Sequence, residues 1–233
     1  MDWVMLLQFA TPLALAALGE TVGQKSGLLN IGLEGTMLIA AYFAATATLW
    51  SGSPWIGLLV GAFAGLVLTL IGGYFSISLG SDQVVVGMAI NLFALGLTGG
   101  LFRKQFGQTG HLFSVQELPK WHGFDWVMLF ALLGVLLVTW SLFHSAWGLA
   151  LRSAGEYPKA TEAAGLSVNR LRFQACAVAG FFGGLGGAYL SLGVVGSFAE
   201  NMTGGRGFIA IAMVTFGRWK PSYVFLACLL IGY

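Results

Sequence analysis

Of the 233 residues, 57% are hydrophobic and only 9% are charged, with a formal net charge of +2. A water-soluble domain carries nearer ~25% charged residues, so this chain cannot cover a water-facing surface. Its near-neutral balance gives no reason to expect a nucleic-acid partner. The two cysteines, Cys176 and Cys228, lie in apolar runs and read as small buried residues, with no disulfide framework.

The start, Met1-Asp2-Trp3, lacks a basic region, so no cleavable signal peptide is expected. Apolar runs then recur along the whole chain. A bilayer core of ~30 Å takes about 20 helical residues to span, and helices satisfy their backbone groups internally. Membrane-spanning helices are therefore expected at residues 3–18, 28–50, 55–79, 84–102, 125–143 and 173–195. Residues 19–27 between the first two runs are too polar for lipid and predict an interruption. Polar loops are expected at residues 103–124 and 145–172, and a glycine-rich connection at 196–205. Residues 208–216 are apolar but short, which suits a re-entrant or half-spanning helix. A last run begins near Tyr223 and stops at Tyr233, too short to cross, so the chain reads as C-terminally incomplete. The fold class is all-α: a polytopic membrane helix bundle with broken or re-entrant helices, forming one transmembrane domain over residues 1–233.

Loop charges set the orientation. Residues 145–172 hold Arg152, Lys159, Arg170 and Arg172, which places that stretch in the cytoplasm. Arg218-Trp219-Lys220 falls on the same side, and residues 103–124 on the other. Arg103, Lys104 and Lys120 then run against the charge rule. Trp50, Trp55, Trp121, Trp126 and Trp147 stand at segment ends, as interfacial anchors do. Small residues recur every four positions at Gly57, Gly61, Gly65, Thr69 and Gly73, and again at Ala175, Ala179, Gly183 and Gly187. Each set shares one helix face and permits close helix packing, within the chain or between subunits.

Four polar constellations interrupt this apolar frame. In residues 145–172, Pro158 suits a first helical turn and Gly165 a position just past a helix end. Ala160, Ala163 and Ala164 favour helix between them. A short cytoplasmic helix is expected, either docked in a groove of another protein or merely solvated. In Gly27-Leu28-Leu29-Asn30-Ile31-Gly32-Leu33-Glu34-Gly35, a carboxylate at bilayer depth costs roughly 2.5–3.5 kcal/mol. Glu34 therefore lies on a solute path or at the interface. Asp82 caps the next helix, and Asn91 within it is either an interhelical hydrogen bond or a pathway residue. In Glu200-Asn201-Met202-Thr203-Gly204-Gly205-Arg206-Gly207, tandem glycines precede the half-length helix. Its N-terminus would present free N–H groups to a solute, or the stretch is a loop holding a Glu200–Arg206 pair.

No nucleotide-binding glycine loop, paired Cys/His metal motif or nucleophile elbow is present in the sequence. His111, His122 and His144 are scattered at segment edges. No cofactor, no metal and no catalytic residue are expected, and the chain is not expected to be an enzyme.

The four constellations, in this order, resemble the permeases of ABC importers for branched-chain amino acids, ribose-type sugars and nucleosides. The likeness is greatest to the simple-sugar and nucleoside branch served by basic-membrane-lipoprotein receptors. It is carried by Gly19-Glu20 with residues 27–35, by Gln83 through Asn91, by Leu151–Pro158 with Ala163-Ala164-Gly165, and by Met202–Ala210. The resemblance implies that Gly155, Glu156, Pro158, Ala160, Glu162, Ala163, Ala164 and Gly165 belong to a coupling element that contacts an ATPase subunit. It also implies that Asn30, Glu34, Asn91, Thr203, Gly205 and Arg206 lie by the solute path. Implied partners are an ABC ATP-binding subunit, a second permease (the same or different), an extracytoplasmic solute-binding lipoprotein, and membrane lipid. Tyr157 departs from the family, where Asn often stands. The expected function is translocation of a nucleoside or simple sugar across the cytoplasmic membrane. The alternatives are a secondary transporter or channel working without ATP, and an inert assembly subunit.

Overall fold

A computed structural model describes residues 3–107, 114–121 and 123–232. His111 and His122 lie outside these residues, as does the side chain of Trp121. The long helices are α1 (Trp3–Lys25), α2 (Leu33–Ser51), α3 (Pro54–Gly73), α4 (Gln83–Phe106), α5 (Trp126–His144) and α8 (Val168–Tyr189). Between α5 and α8 lie the short helices α6 (Ala146–Glu156) and α7 (Pro158–Ala163). Two more, α9 (Arg206–Phe216) and α10 (Pro221–Gly232), follow α8. A π-helical turn extends α3 through Ser78 and α8 through Val195. Five of these helices are long and apolar enough to cross a membrane. The two-residue strands β1 (Lys120–Trp121) and β2 (Phe124–Asp125) pair antiparallel before α5.

Local chemistry sets the helix ends. Asp82 accepts from the N–H groups of Val84 and Val85 at 2.8 and 3.1 Å and so starts α4. Ser145 starts α6 by accepting from the Gly148 N–H. Gly52, left-handed at φ 68°, ends α2, and Pro54 then opens α3. The Asp125 side chain does not cap α5. It accepts from the Tyr189 hydroxyl at 2.8 Å and ties the β1–β2 turn to α8. Burial pushes this carboxyl above the usual range, and the hydrogen bond from Tyr189 opposes that shift.

α1 and α8 form the centre, with 67% and 72% of their apolar spans buried, whereas only 22% of the α4 span and 33% of the α5 span are. Both small-residue ladders serve contacts within the chain. A methyl on Gly65 would sit 2.5 Å from Gly184 Cα, and one on Gly73 would sit 2.8 Å from Cys176 Sγ, so α3 lies backbone-close to α8. On the other side of α8, Gly183 faces Leu33 and Gly187 faces the Met37 backbone. Without a hydrophobic drive between helices in lipid, such contacts supply the association energy.

The polar interruption expected at residues 19–27 is displaced. α1 continues to Lys25, and the chain breaks at residues 26–32. Glu20 is fully buried, because its Oε1 accepts from Gln24 Nε2 one turn on (3.0 Å) and from the Asn30 N–H (3.1 Å). These polar groups face α8 and the loop, not lipid. Gly19 packs against the Ala179 carbonyl and Gly23 against the Ala179 side chain.

Arg103 and Lys120, two of the three cations that run against the charge rule, are ion-paired. Arg103 meets Glu200 at 2.8 Å, and Lys120 meets Glu117 at 2.9 Å. The Glu200–Arg206 pair is not formed. Arg206 Nη1 turns back on the carbonyls of Met202 and Thr203.

Candidate functional site: a broken helix pair and an exposed elbow

The site is built on the break between α1 and α2. Residues 26–32 contribute backbone groups that other helices satisfy. Gln83 Oε1 accepts from the Leu29 N–H at 2.8 Å. Asn91 spans the end of the break. Its Nδ2 donates to the Ile31 carbonyl at 3.0 Å, and its Oδ1 accepts from the Gly35 N–H at 2.8 Å. One amide thus stands between the donor and the acceptor of a single helical bond, the Gly35 N–H and the Ile31 carbonyl, where the α2 backbone begins. We expect Asn91→Leu to leave both groups unpaired and to cost about 2 kcal/mol. Thermal unfolding of the detergent-solubilised protein would measure that loss, and unchanged stability would contradict this role.

Glu34, on the first turn of α2, is buried. Its Oε1 accepts from the Gly205 N–H at 2.8 Å and its Oε2 from the Gly207 N–H at 2.6 Å. The carboxylate therefore caps α9 from another helix and sits at the positive end of that helix's dipole. Two glycines make this approach possible. Gly205 is left-handed at φ 87°, and a methyl on Gly207 would lie 2.5 Å from Glu34 Cα.

The depth of this junction follows from α4. Asn91 stands about 12 Å of helical rise from the α4 start at Gln83. Glu34 and the α9 N-terminus lie beside Asn91, inside the span of the long helices. From Glu200, paired with Arg103 near the far end of α4, the chain descends to Gly205, and α9 continues toward the α1 C-terminus. There the Trp219 indole donates to Gln24 Oε1 at 2.7 Å. α9 is thus the half-length helix expected from the sequence, and its N-terminus lies at depth, where Glu34 takes the Gly205 and Gly207 N–H groups that were expected to be free.

Glu34 and Asn91 share a cavity of about 140 Å³ with Asn201, Met88, Leu92 and Phe208. Asn30 lines a smaller cavity of about 30 Å³ with Gly23, Thr69, Gln83 and Cys176. Among the described residues its Nδ2 has no partner. Gly205 joins the Glu34 junction through its N–H. Thr203 is fully buried and, among the described residues, its Oγ1 is unpartnered, and Arg206 is bound to its own preceding turn. The chain therefore brings Glu34, Asn91 and Gly205 together, sets Asn30 on the opposite side of the break, and buries Thr203 apart from both cavities. Sequence reasoning gave no role to Gln83 or Asn201. It also missed Glu20 and Gln24 as a pair, although their four-residue spacing signals one helix face.

α6 and α7 form an elbow at the end of the bundle where α1 stops. Pro158 is the first residue of α7, and Gly165, at φ 81°, follows its end. The Thr161 and Ser153 hydroxyls lie 2.7 Å apart and fasten α7 to α6. Tyr157 precedes α7 without capping it by its side chain. The outward surface is made by Glu156, Tyr157, Ala160, Glu162, Ala163, Ala164 and Gly165, all exposed. Gly155 faces inward. A methyl there would lie in contact with the Lys25 carbonyl and 3.0 Å from the Gly27 nitrogen. Arg172 adds a bond from Nε to the Ser26 carbonyl at 3.3 Å. The exposed elbow thus abuts the break that Asn91 and Gln83 fix from the other side.

The sequence pattern of the family described as branched-chain amino acid transport system / permease component matches residues 3–233. The chain is 34% identical to the guanosine ABC transporter permease protein NupQ of Bacillus subtilis, over 97% of this chain and 78% of that protein. It is 35% identical to the putative glucose ABC transporter permease protein TsgC13 of Haloferax volcanii, over 97% and 73%. It is 30% identical to the nucleoside ABC transporter permease protein NupC of Lactococcus lactis, over 97% and 78%. No solved structure matches the chain significantly. Subunits of this family carry no catalytic activity and work with a separate ATPase and a binding protein. The chain belongs to the permease components of the branched-chain amino acid transport family, and is the membrane-embedded subunit of an ABC importer in the cell membrane.

Proposed function

We propose that this permease carries a small polyhydroxylated solute, a nucleoside or a simple sugar, and is driven through the α6–α7 elbow by an ATP-binding subunit. The similarity to permeases named for guanosine, nucleosides and glucose supports the solute class. The contact of Gly155 with Lys25 and Gly27 is the observation that carries the coupling. Movement of the elbow transmits directly to the break, then through Asn91 and Glu34 to the N-terminus of α9. Residues 145–172 act as the cytoplasmic coupling loop, with the α7 surface seated in a groove of the ATPase. The cavity shared by Glu34, Asn91 and Asn201 borders the solute path. A second permease, the same or different, closes that path over the exposed face of α4. A solute-binding lipoprotein delivers solute at the opposite end.

Reconstitution tests this reading against an ion-driven carrier. Liposomes holding the complex with its ATPase should accumulate radiolabelled nucleoside or glucose only with ATP. Gradient-driven uptake by the permease alone would contradict the proposal.

A further inference from the structure

A groove runs between α2, α3 and the far end of α4, on the side of α4 away from Glu34 and Asn91. It consists of two cavities that share Phe43 and Val60. The outer one, of about 690 Å³, is lined also by Tyr42, Trp50, Lys104 and Gln105. The inner one, of about 310 Å³, reaches Ile39 and Ile71, and every side chain that lines it is apolar. The helical rise from Trp50 to Ile39 is about 16 Å. That is the depth of one leaflet of a ~30 Å hydrocarbon core.

The polar end has its own chemistry. Lys104 is exposed and, among the described residues, makes no ion pair, unlike its neighbour Arg103. The Tyr42 hydroxyl fixes Gln105 by donating to its Oε1 at 2.9 Å. Trp50 stands highly exposed at the same end, where an indole meets lipid headgroups. A cation, an amide and an indole thus rim the outer end of an apolar trough one leaflet deep.

We propose that this groove seats an anionic glycerophospholipid, its phosphate at Lys104 and one acyl chain laid along α3 toward Ile71. A partner helix fits it poorly. Close helix contacts in lipid use small residues, as the α3–α8 face does, whereas Phe43, Val60 and Phe63 wall this groove with bulk. A flexible acyl chain follows such a surface.

The test uses the assembled transporter, extracted from membranes of phosphatidylglycerol and phosphatidylethanolamine, washed in detergent and analysed for retained lipid by mass spectrometry. Near-stoichiometric phosphatidylglycerol is expected. Lys104→Glu should lower it by about fivefold, the scale of one basic residue facing an anionic headgroup. Val60→Trp should empty the groove, and Lys120→Ala should change nothing. Lys104→Glu lies at an exposed position, so its result stands even if Val60→Trp misfolds. Retention that ignores both groove substitutions would overturn the proposal. So would retention of phosphatidylethanolamine in equal measure, or efficient disulfide formation between Val60→Cys in this chain and a cysteine of a neighbouring subunit.

Discussion

Ala163→Asp is expected to abolish solute uptake and solute-stimulated ATP hydrolysis in the assembled complex, while the permease itself stays folded. Ala163 ends α7 and points outward, among Ala160, Ala164 and Gly165. These residues are exposed among the described residues, so a carboxylate there costs the free subunit little. In a docked complex the same carboxylate is buried without a partner. That costs about 3 kcal/mol, or roughly 100-fold in affinity. Co-purification with the ATPase should fall in parallel. Gly165→Asp should do the same and also strain a left-handed backbone position. Should transport and stimulated ATPase activity both survive Ala163→Asp, α7 is not the element that meets the ATPase.

Glu34→Ala is expected to be as damaging, for an internal reason. It strips the acceptor from the N–H groups of Gly205 and Gly207 at the start of α9. Bonds to a charged acceptor contribute about 1.5–3 kcal/mol each, and the Gly207 N–H is buried while that of Gly205 is half-buried. Glu34→Gln retains one acceptor oxygen and should recover about half of that loss. Thermal unfolding and ATP-dependent uptake, measured side by side, separate two roles. A loss of both in Glu34→Ala, with partial recovery in Glu34→Gln, identifies a helix-capping junction. Full stability in Glu34→Ala would contradict it.

The membrane class and most helices were legible because lipid imposes a length and an apolarity that composition cannot hide. The start of α7 at Pro158, its end before Gly165 and the cap at Asp82 were legible for a different reason: each depends on local backbone chemistry. The exit of α1 was not. Polarity at Glu20 and Gln24 reads as a loop until their partners are known, and those partners, the Asn30 N–H and the Trp219 indole, come from beyond the helix. The same holds for Glu34. Its charge in an apolar run pointed to a solute path or to the interface, but its partners lay more than 170 residues away. Pairing across such separations is a property of the packed bundle. Arg103 and Glu200 make the point again, since the sequence offered the nearer Arg206 instead.

All of the coupling described rests on the α6–α7 elbow facing the cytosol, and side-specific labelling tests that directly. Cys176 and Cys228 are buried, so a single Lys159→Cys substitution offers an accessible thiol on exposed α7. A membrane-impermeant maleimide should leave this thiol unmodified on intact cells and label it once the membrane is permeabilised. Labelling on intact cells would put the elbow on the outer face and contradict the coupling of this permease to a cytosolic ATPase.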